Sequence, residues 1–401
     1  MSLFTAIEEA PRDPILGINE LFNADTHAEK INLSIGVYLT DEGKIPLLKS
    51  VHNAEQLLIE TAKPHAYLPI NGSEAYNHAV QELIFGKDAE VVHSGRVVTV
   101  QSLGGTGGLK IGADFLKRFF PNTTVAISDP SWENHRALFE SAGFPVTTYS
   151  YYDAKTHALD FNGMLSSLNK LPVKSIVILH ACCHNPTGID LNTEQWQQVI
   201  ELCKTRELIP FLDMAYQGFA YDVETDAKAV RLFADSGLSV LVSNSFSKSF
   251  SLYGERVGAL SIVTEDKNES VRVLSQIKRI IRTNYSNPPS FGAAIVTTIL
   301  TRPELRTLWE SELTDMRQRI QAMRHELVAR LNPLSPGFDF SFINQQQGMF
   351  SYSGLTTLQV EKLRQHYGIY VLSTGRLCIA ALNSRNISTV AQAIGQVLTP
   401  S

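Results

Sequence analysis

Cysteine is scarce in this sequence. There are four in 401 residues, Cys182, Cys183, Cys203 and Cys378. Two are adjacent and none forms a CxxC pair, so neither a disulfide framework nor a zinc ribbon is indicated. Free thiols fit a reducing, cytoplasmic setting better. Positive charge is not in excess either. Lys+Arg is 35 against Asp+Glu 40, a net charge of −5, which argues against nucleic-acid binding through a dominant basic surface. No run approaches the ~18 uncharged apolar residues of a membrane span. The opening stretch MSLFTAIEEAPRDPILG has no basic start followed by a long apolar core, so no secretory signal or transit peptide is expected. Repeats, low-complexity tracts and Pro/Ser-rich linkers are also missing.

What remains is ordinary globular usage, 44% apolar and 19% charged. The length suits two or three domains. Through the middle of the chain, short β-branched runs alternate with amphipathic stretches. Strands are expected at Arg96–Gln101, Thr124–Asp129, Ser175–His180, Leu208–Asp213, Ser239–Asn244 and Gly258–Val263. One intervening helix is expected over Thr193–Glu207. This alternation predicts an α/β fold with a mainly parallel sheet covered on both faces. The C-terminal third reads differently. A long helix is expected from Pro303 to Leu331, then strand-like Met349–Gly354 and Arg376–Ala381. That pattern indicates a smaller α+β domain joined by the N-terminal segment.

In open α/β sheets, ligands sit beyond the carboxyl ends of the strands, and four of these ends are unusual. The first is followed by SLGGTGGLK, where Gly105 and Thr106 open a helix. Glycines and free helical N–H groups suit a phosphate, although a ligand-free glycine turn reads equally well. It is neither a P-loop nor GxGxxG. The third is followed by ACCHNPTG, where Asn185 either ends a plain turn or offers its amide to a ligand. Cys182, Cys183 and His184 do not suggest metal, because adjacent strand residues face opposite sides. The fourth ends in Asp213, with Tyr216 three residues on. A carboxylate ending an apolar strand either caps the next helix or awaits a cationic partner. The fifth is followed by SFSKSFSLYGERVG, with Ser245, Ser247, Lys248 and Arg256. A desolvated lysine can form a Schiff base and an arginine fork suits phosphate. Taken singly, each could be a surface residue. Together they form the set that pyridoxal phosphate needs: a phosphate site, a lysine, and an acid for the ring nitrogen.

With these residues in view, the chain resembles the fold-type I aspartate/aromatic aminotransferases over nearly its whole length. The matching segments include INLSIGVY, QSLGGTGGLK, SDPSWENH, HACCHNPTG, FLDMAYQGF, SNSFSKSFSLYGERVG, RTNYSNPP, GMFSYSGL and STGRLCIA. The wording is closest to the bacterial tyrosine (aromatic-amino-acid) branch. The resemblance implies a large cofactor-binding domain over 45–315 with a seven-stranded sheet. It implies a small domain over 316–401, with residues 1–44 forming an N-terminal segment and part of that small domain. It implies pyridoxal phosphate held covalently by Lys248, which also shuttles the proton. Asp213, backed by His135, would pair with the ring nitrogen. Asn185 and Tyr216 would donate to the ring oxygen, and Trp132 would stack on the ring. Gly105, Thr106, Ser245, Ser247 and Arg256 would hold the phosphate, with Tyr67 reaching it from the other subunit of a homodimer. Arg376 would grip the substrate α-carboxylate, assisted by Asn185 and Trp132, under a lip containing Gly36. Arg282 of the partner subunit would take the distal carboxylate of dicarboxylic substrates. The implied reaction is ping-pong transfer of the amino group of tyrosine, phenylalanine or aspartate to 2-oxoglutarate. The alternative is an aspartate aminotransferase with minor aromatic activity. No metal is implied.

Overall fold

The computed structural model describes residues 2–10, 13, 15–62 and 64–398. Its centre is a seven-stranded sheet: β1 Val97–Leu103, β2 Val125–Asp129, β3 Val146–Ser150, β4 Ile176–His180, β5 Ile209–Met214, β6 Val240–Ser245 and β7 Val257–Val263. The strands lie in the order β1-β7-β6-β5-β4-β2-β3. β4, β6 and β7 are buried at every residue, as strands covered on both faces must be. Six of the seven match the runs legible in the sequence to within two residues at each end. The exception is β3, VTTYS, an edge strand with exposed Thr147 and Thr148. With one free edge and two solvent-facing threonines, it carries no continuous apolar signal.

β7 is the one reversed strand, antiparallel to both β1 and β6. Its start therefore lies at the same rim as the ends of β1, β4, β5 and β6. Gly258 pairs with Ser245, so the chain leaves β6, makes the loop that carries Lys248, and returns at Arg256.

Helix α1, Gly104–Phe119, packs on this sheet through a stripe of glycines. Gly104 has φ +68°, which turns the strand directly into the helix. A Cβ on Gly108 would lie 2.9 Å from the Ala259 carbonyl, and one on Gly112 would lie 2.5 Å from Cζ of Phe211. The i, i+4 spacing puts these positions on one helix face, so the helix backbone rests almost on the strands. Lys117 and Arg118 occupy its last turn, where positive charge complements the helix dipole. Further helices are α2 Glu133–Ser141, α3 Thr193–Thr205 and α4 Pro303–Leu334. α3 starts at a capping box between Asn192 and Gln195. α4 runs for 32 residues, with Pro303 in its first turn. The boundary expected at 315/316 falls inside this one unbroken helix. Trp309 of α4 stacks on Phe250 at 4.4 Å and donates Nε1–H to the Ser249 carbonyl at 2.7 Å.

Beyond α4, β8 Phe350–Tyr352 pairs antiparallel with β9 Arg376–Cys378, with Tyr352 opposite Arg376. Ile31–Asn32 pairs in parallel with Ile369–Tyr370, which ties the N-terminal segment to the C-terminal elements. Among the described residues no helix is long and apolar enough to cross a membrane.

The glycine stripe yields a test of the packing. Gly112→Ala should lower the thermal midpoint, by an overpacking cost of about 1–3 kcal/mol. Adding Phe211→Leu should recover part of that loss by clearing the ring from the new methyl. An unchanged midpoint in Gly112→Ala would contradict the close approach.

Candidate active site

The strand ends open onto a cavity of about 680 Å³. It is lined by Gly36, Gly105, Thr106, Trp132, Asn185, Asp213, Tyr216, Ser245, Ser247, Lys248, Arg256 and Arg376. These come from segments as far apart as 36 and 376. The volume suits a small cofactor with its substrate.

One end of the cavity is built for an anion. The first amides of α1 have no partners within the helix and point outward there. Ser245, Ser247 and Arg256 face them across the β6–β7 loop. Arg256 donates Nη1–H to Ser247 Oγ at 3.3 Å and to the Tyr253 carbonyl at 3.0 Å. Its backbone is left-handed, φ +53°, a conformation uncommon for a residue with a side chain. A Cβ on Gly104 would fall 2.6 Å from its Nη2, so only glycine leaves the guanidinium room. Ser243 Oγ donates to the Gly105 carbonyl at 2.8 Å and fixes the helix start.

Asp213, buried at the end of β5, lies 2.8 Å through Oδ2 from Nε2 of His135. Ser131 Oγ holds the other ring nitrogen at 3.0 Å. The acid is thus backed by a fully buried imidazole, itself oriented from behind. His180, opposite Asp213 across the β4–β5 ladder, also lines the cavity. Its two ring nitrogens have no partner among the described residues. Burial, with His135 beside it, presses its pKa down to about 3, so this ring is neutral.

Lys248 is the half-buried amine of the cavity. Its Nζ lies 5.7 Å from the Tyr216 ring centre and 5.8 Å from that of Tyr253. Burial lowers its pKa to about 8, and the Arg256 and Arg376 guanidiniums push the same way against Asp213. Uncharged amine is therefore present near neutral pH. Burial pushes the Tyr216 phenol well above its ordinary value, so it remains a hydrogen-bond donor.

The other end of the cavity is Arg376, 1% exposed. Nη1 donates to Asn185 Oδ1 at 3.0 Å and Nη2 to the Ser34 carbonyl at 2.6 Å. Nε has no partner among the described residues. The guanidinium lies 4.2 Å over the Phe350 ring. A buried fork held in this way is suited to a carboxylate.

Two expected residues stand elsewhere in the single chain. Tyr67 is 91% exposed and belongs to a separate surface depression with Leu103 and Tyr285. Arg282 is exposed and bonds Ser286. Residues not anticipated include His180, Ser34, Phe350 and Tyr253, whose hydroxyl accepts from the Tyr38 amide at 2.9 Å. A backbone carbonyl such as that of Ser34 leaves no trace in a motif. One expectation needs correction. Cys183 adopts φ +50°, which breaks the strand alternation. The ligand atoms of Cys182, Cys183 and Asp226 therefore lie within 4.8 Å of one another. The Asp226 carboxylate, however, already accepts from the Gly218, Ala220 and Tyr221 amides, and burial raises both thiols.

The donor set fits pyridoxal phosphate on grounds internal to the structure. There is an anion cradle that a Cβ would fill, a half-buried low-pKa amine, and a histidine-backed acid for a cationic ring nitrogen.

Comparison with known proteins points the same way. The sequence model of "Aminotransferase class I and II" matches residues 28–394. The aspartate aminotransferase of Pseudomonas aeruginosa is 62% identical, covering 99% of this chain and 100% of its own. The aromatic-amino-acid aminotransferase of Escherichia coli is 50% identical over the same shares. The crystal structure of the Burkholderia pseudomallei aromatic-amino-acid aminotransferase, covalently bound to pyridoxal phosphate, superposes with a TM-score of 0.97. It is 62% identical and both chains are covered in full. The chain therefore belongs to the class I and II aminotransferases, pyridoxal-phosphate-dependent transaminases of fold type I.

Proposed function

We propose that the chain transfers the amino group of tyrosine, phenylalanine and aspartate to 2-oxoglutarate, working as a homodimer in the cytoplasm. The observation that carries the reading is the single cavity joining Lys248 to two separate anion grips, Arg256 and Arg376. Phosphate at one and a carboxylate at the other leave the amine between them at the reacting carbon. The aromatic preference is supported by the 62% identical Burkholderia relative. The Pseudomonas relative, equally identical, supports a second reading as an aspartate aminotransferase with weaker aromatic activity. Four free, buried cysteines suit a reducing compartment.

When bound, pyridoxal phosphate supplies the electron sink that loosens the bonds at the substrate α-carbon and stores the amino group between half-reactions. The chain's own residues do the rest. Arg256, Ser245, Ser247 and the amides of Gly105 and Thr106 orient the phosphate. Asp213, held by His135, keeps a proton on the ring nitrogen. Asn185 and Tyr216 donate to the ring oxygen, and Trp132 covers the ring. Arg376 fixes the α-carboxylate, with Asn185 and Trp132 beside it and Gly36 above. Lys248, when uncharged, would take the proton from the substrate α-carbon and hand it to the carbon on the far side of the amino nitrogen. Tyr67 and Arg282 are exposed on one chain, and their roles require a partner subunit. There Tyr67 reaches the phosphate, and Arg282 meets a distal carboxylate or swings aside for an aromatic ring.

Lys248→Ala should retain the fold yet lose steady-state turnover and covalent capture of added pyridoxal phosphate, read by absorbance. Turnover at the original rate would remove Lys248 from the reaction. In the cofactor-free protein, capture by Lys248 should quicken as pH rises through about 8, because only the deprotonated amine attacks. A rate that falls over that range would contradict the burial of this amine.

Arg282→Leu should cut kcat/KM for aspartate by roughly thirtyfold or more, the effect of about 2 kcal/mol from a lost charge pair. Phenylalanine should lose far less. Equal losses would make Arg282 structural. In the unaltered enzyme, the ratio of kcat/KM for tyrosine to that for aspartate decides between the two readings.

A further inference from the structure

Arg324 lies within α4 and is 2% exposed. No carboxylate pairs with it among the described residues. Its Nη2 donates to the carbonyls of Gly348 at 2.5 Å and Phe350 at 3.2 Å, and its Nε to Ser351 Oγ at 3.3 Å. Burial lowers its pKa to about 10, so it keeps its charge at neutral pH. A buried guanidinium without a counter-ion is costly. Here every hydrogen bond it makes goes to one four-residue stretch, 348–351.

That stretch presents Phe350 to the carboxylate end of the cavity. The Phe350 ring lies 4.2 Å beneath the Arg376 guanidinium and stands edge-on to Tyr216 at 5.8 Å. Gly36 presses on it so closely that a Cβ there would lie 2.8 Å from Phe350 Cζ. Phe350 of this stretch and Gln347 just before it clamp the turn that carries Asn185. The Gln347 amide donates to the Gly188 carbonyl at 2.5 Å, and a Cβ on Gly188 would lie 3.0 Å from the Phe350 carbonyl. Arg376 thus rests on a ring and bonds an asparagine that are both held in place by the 347–351 backbone.

We infer that Arg324 is a positioning residue for substrate recognition: it fixes the 348–351 backbone and thereby aims Arg376 at the α-carboxylate shared by the amino acid and the 2-oxo acid. The inference rests on Arg376 being the α-carboxylate grip. It separates Arg324 from a residue that only holds the fold. Both half-reactions use the same carboxylate, so a misaimed Arg376 weakens both substrates alike. The phosphate cradle lies at the other end of the cavity and is untouched.

The test uses the cofactor-loaded enzyme with L-phenylalanine and 2-oxoglutarate. Arg324→Lys should raise both KM values by a common factor, on the order of tenfold, with kcat and pyridoxal phosphate affinity within about twofold. Ser351→Ala, which removes only the Nε acceptor, should move both KM values the same way by about twofold. Arg376→Lys is the reference. If it leaves both KM values unchanged, the reading of Arg376 fails, and the inference with it. If Arg376→Lys raises them while Arg324→Lys is folded, less heat-stable and unchanged in KM, Arg324 serves the fold alone. A rise for one substrate only would equally overturn the proposal. Should Arg324→Lys not fold, Ser351→Ala decides, and unchanged KM values there would refute it.

Discussion

The site is organised by a half-buried lysine set between two arginines, exposed Arg256 and buried Arg376. Lys248, Arg256 and Arg376 share one cavity with the carboxylates of Asp13, Glu133 and Asp213, and of these Asp213 bears on the lysine. The lysine's own burial and the two guanidiniums both disfavour its charged form, and of the three it is the one that can shed its proton. Each arginine also suits an anion. The arrangement therefore does two jobs through one electrostatic condition: it keeps an amine nucleophilic, and it leaves room for a phosphate and a carboxylate to complete the charge balance.

Sheet topology makes that crowding achievable. Six strands deliver their ends to one rim, and reversed β7 brings Arg256 back to the same rim. Without the reversal, Arg256 would lie a strand's length from Lys248. The glycine stripe of α1 adds the helix terminus, because only a helix seated directly on the strands brings its first amides level with Ser245 and Arg256. Fold and chemistry are joined here by the absence of side chains.

Much of this was legible in the sequence. Doubly covered strands are continuous apolar runs, so β1, β2 and β4 to β7 could be marked, and the odd residues at their ends could be recognised as a set. Lys248, Asp213, Asn185, Arg256 and Arg376 all reach the cavity as expected. β3 carries no such run, because an edge strand rich in threonine resembles a loop. The two-residue pairing of Ile31–Asn32 with Ile369–Tyr370 has no local pattern at all. His180 looked like the last residue of a strand, and only the register places it opposite Asp213. Arg324 sits among charged helical residues, and nothing in that sequence distinguishes a buried arginine from its solvated neighbours. Tyr67 and Arg282 are surface residues of a single chain, so their expected roles depend on a second one.

The long helix α4 has one further consequence. Trp309 near its start holds the Lys248 loop through the Ser249 carbonyl, and Arg324, fifteen residues on, holds the strand beneath Arg376. The two attachments are about 22 Å apart along a rod whose rise per residue hardly varies. Reacting amine and carboxylate grip are thus mounted on a common ruler. The distance from α-nitrogen to carboxylate is the same in every α-amino acid, whatever its side chain. An enzyme that admits both a ring and a second carboxylate can vary everything except that distance, and α4 is the element that keeps it constant.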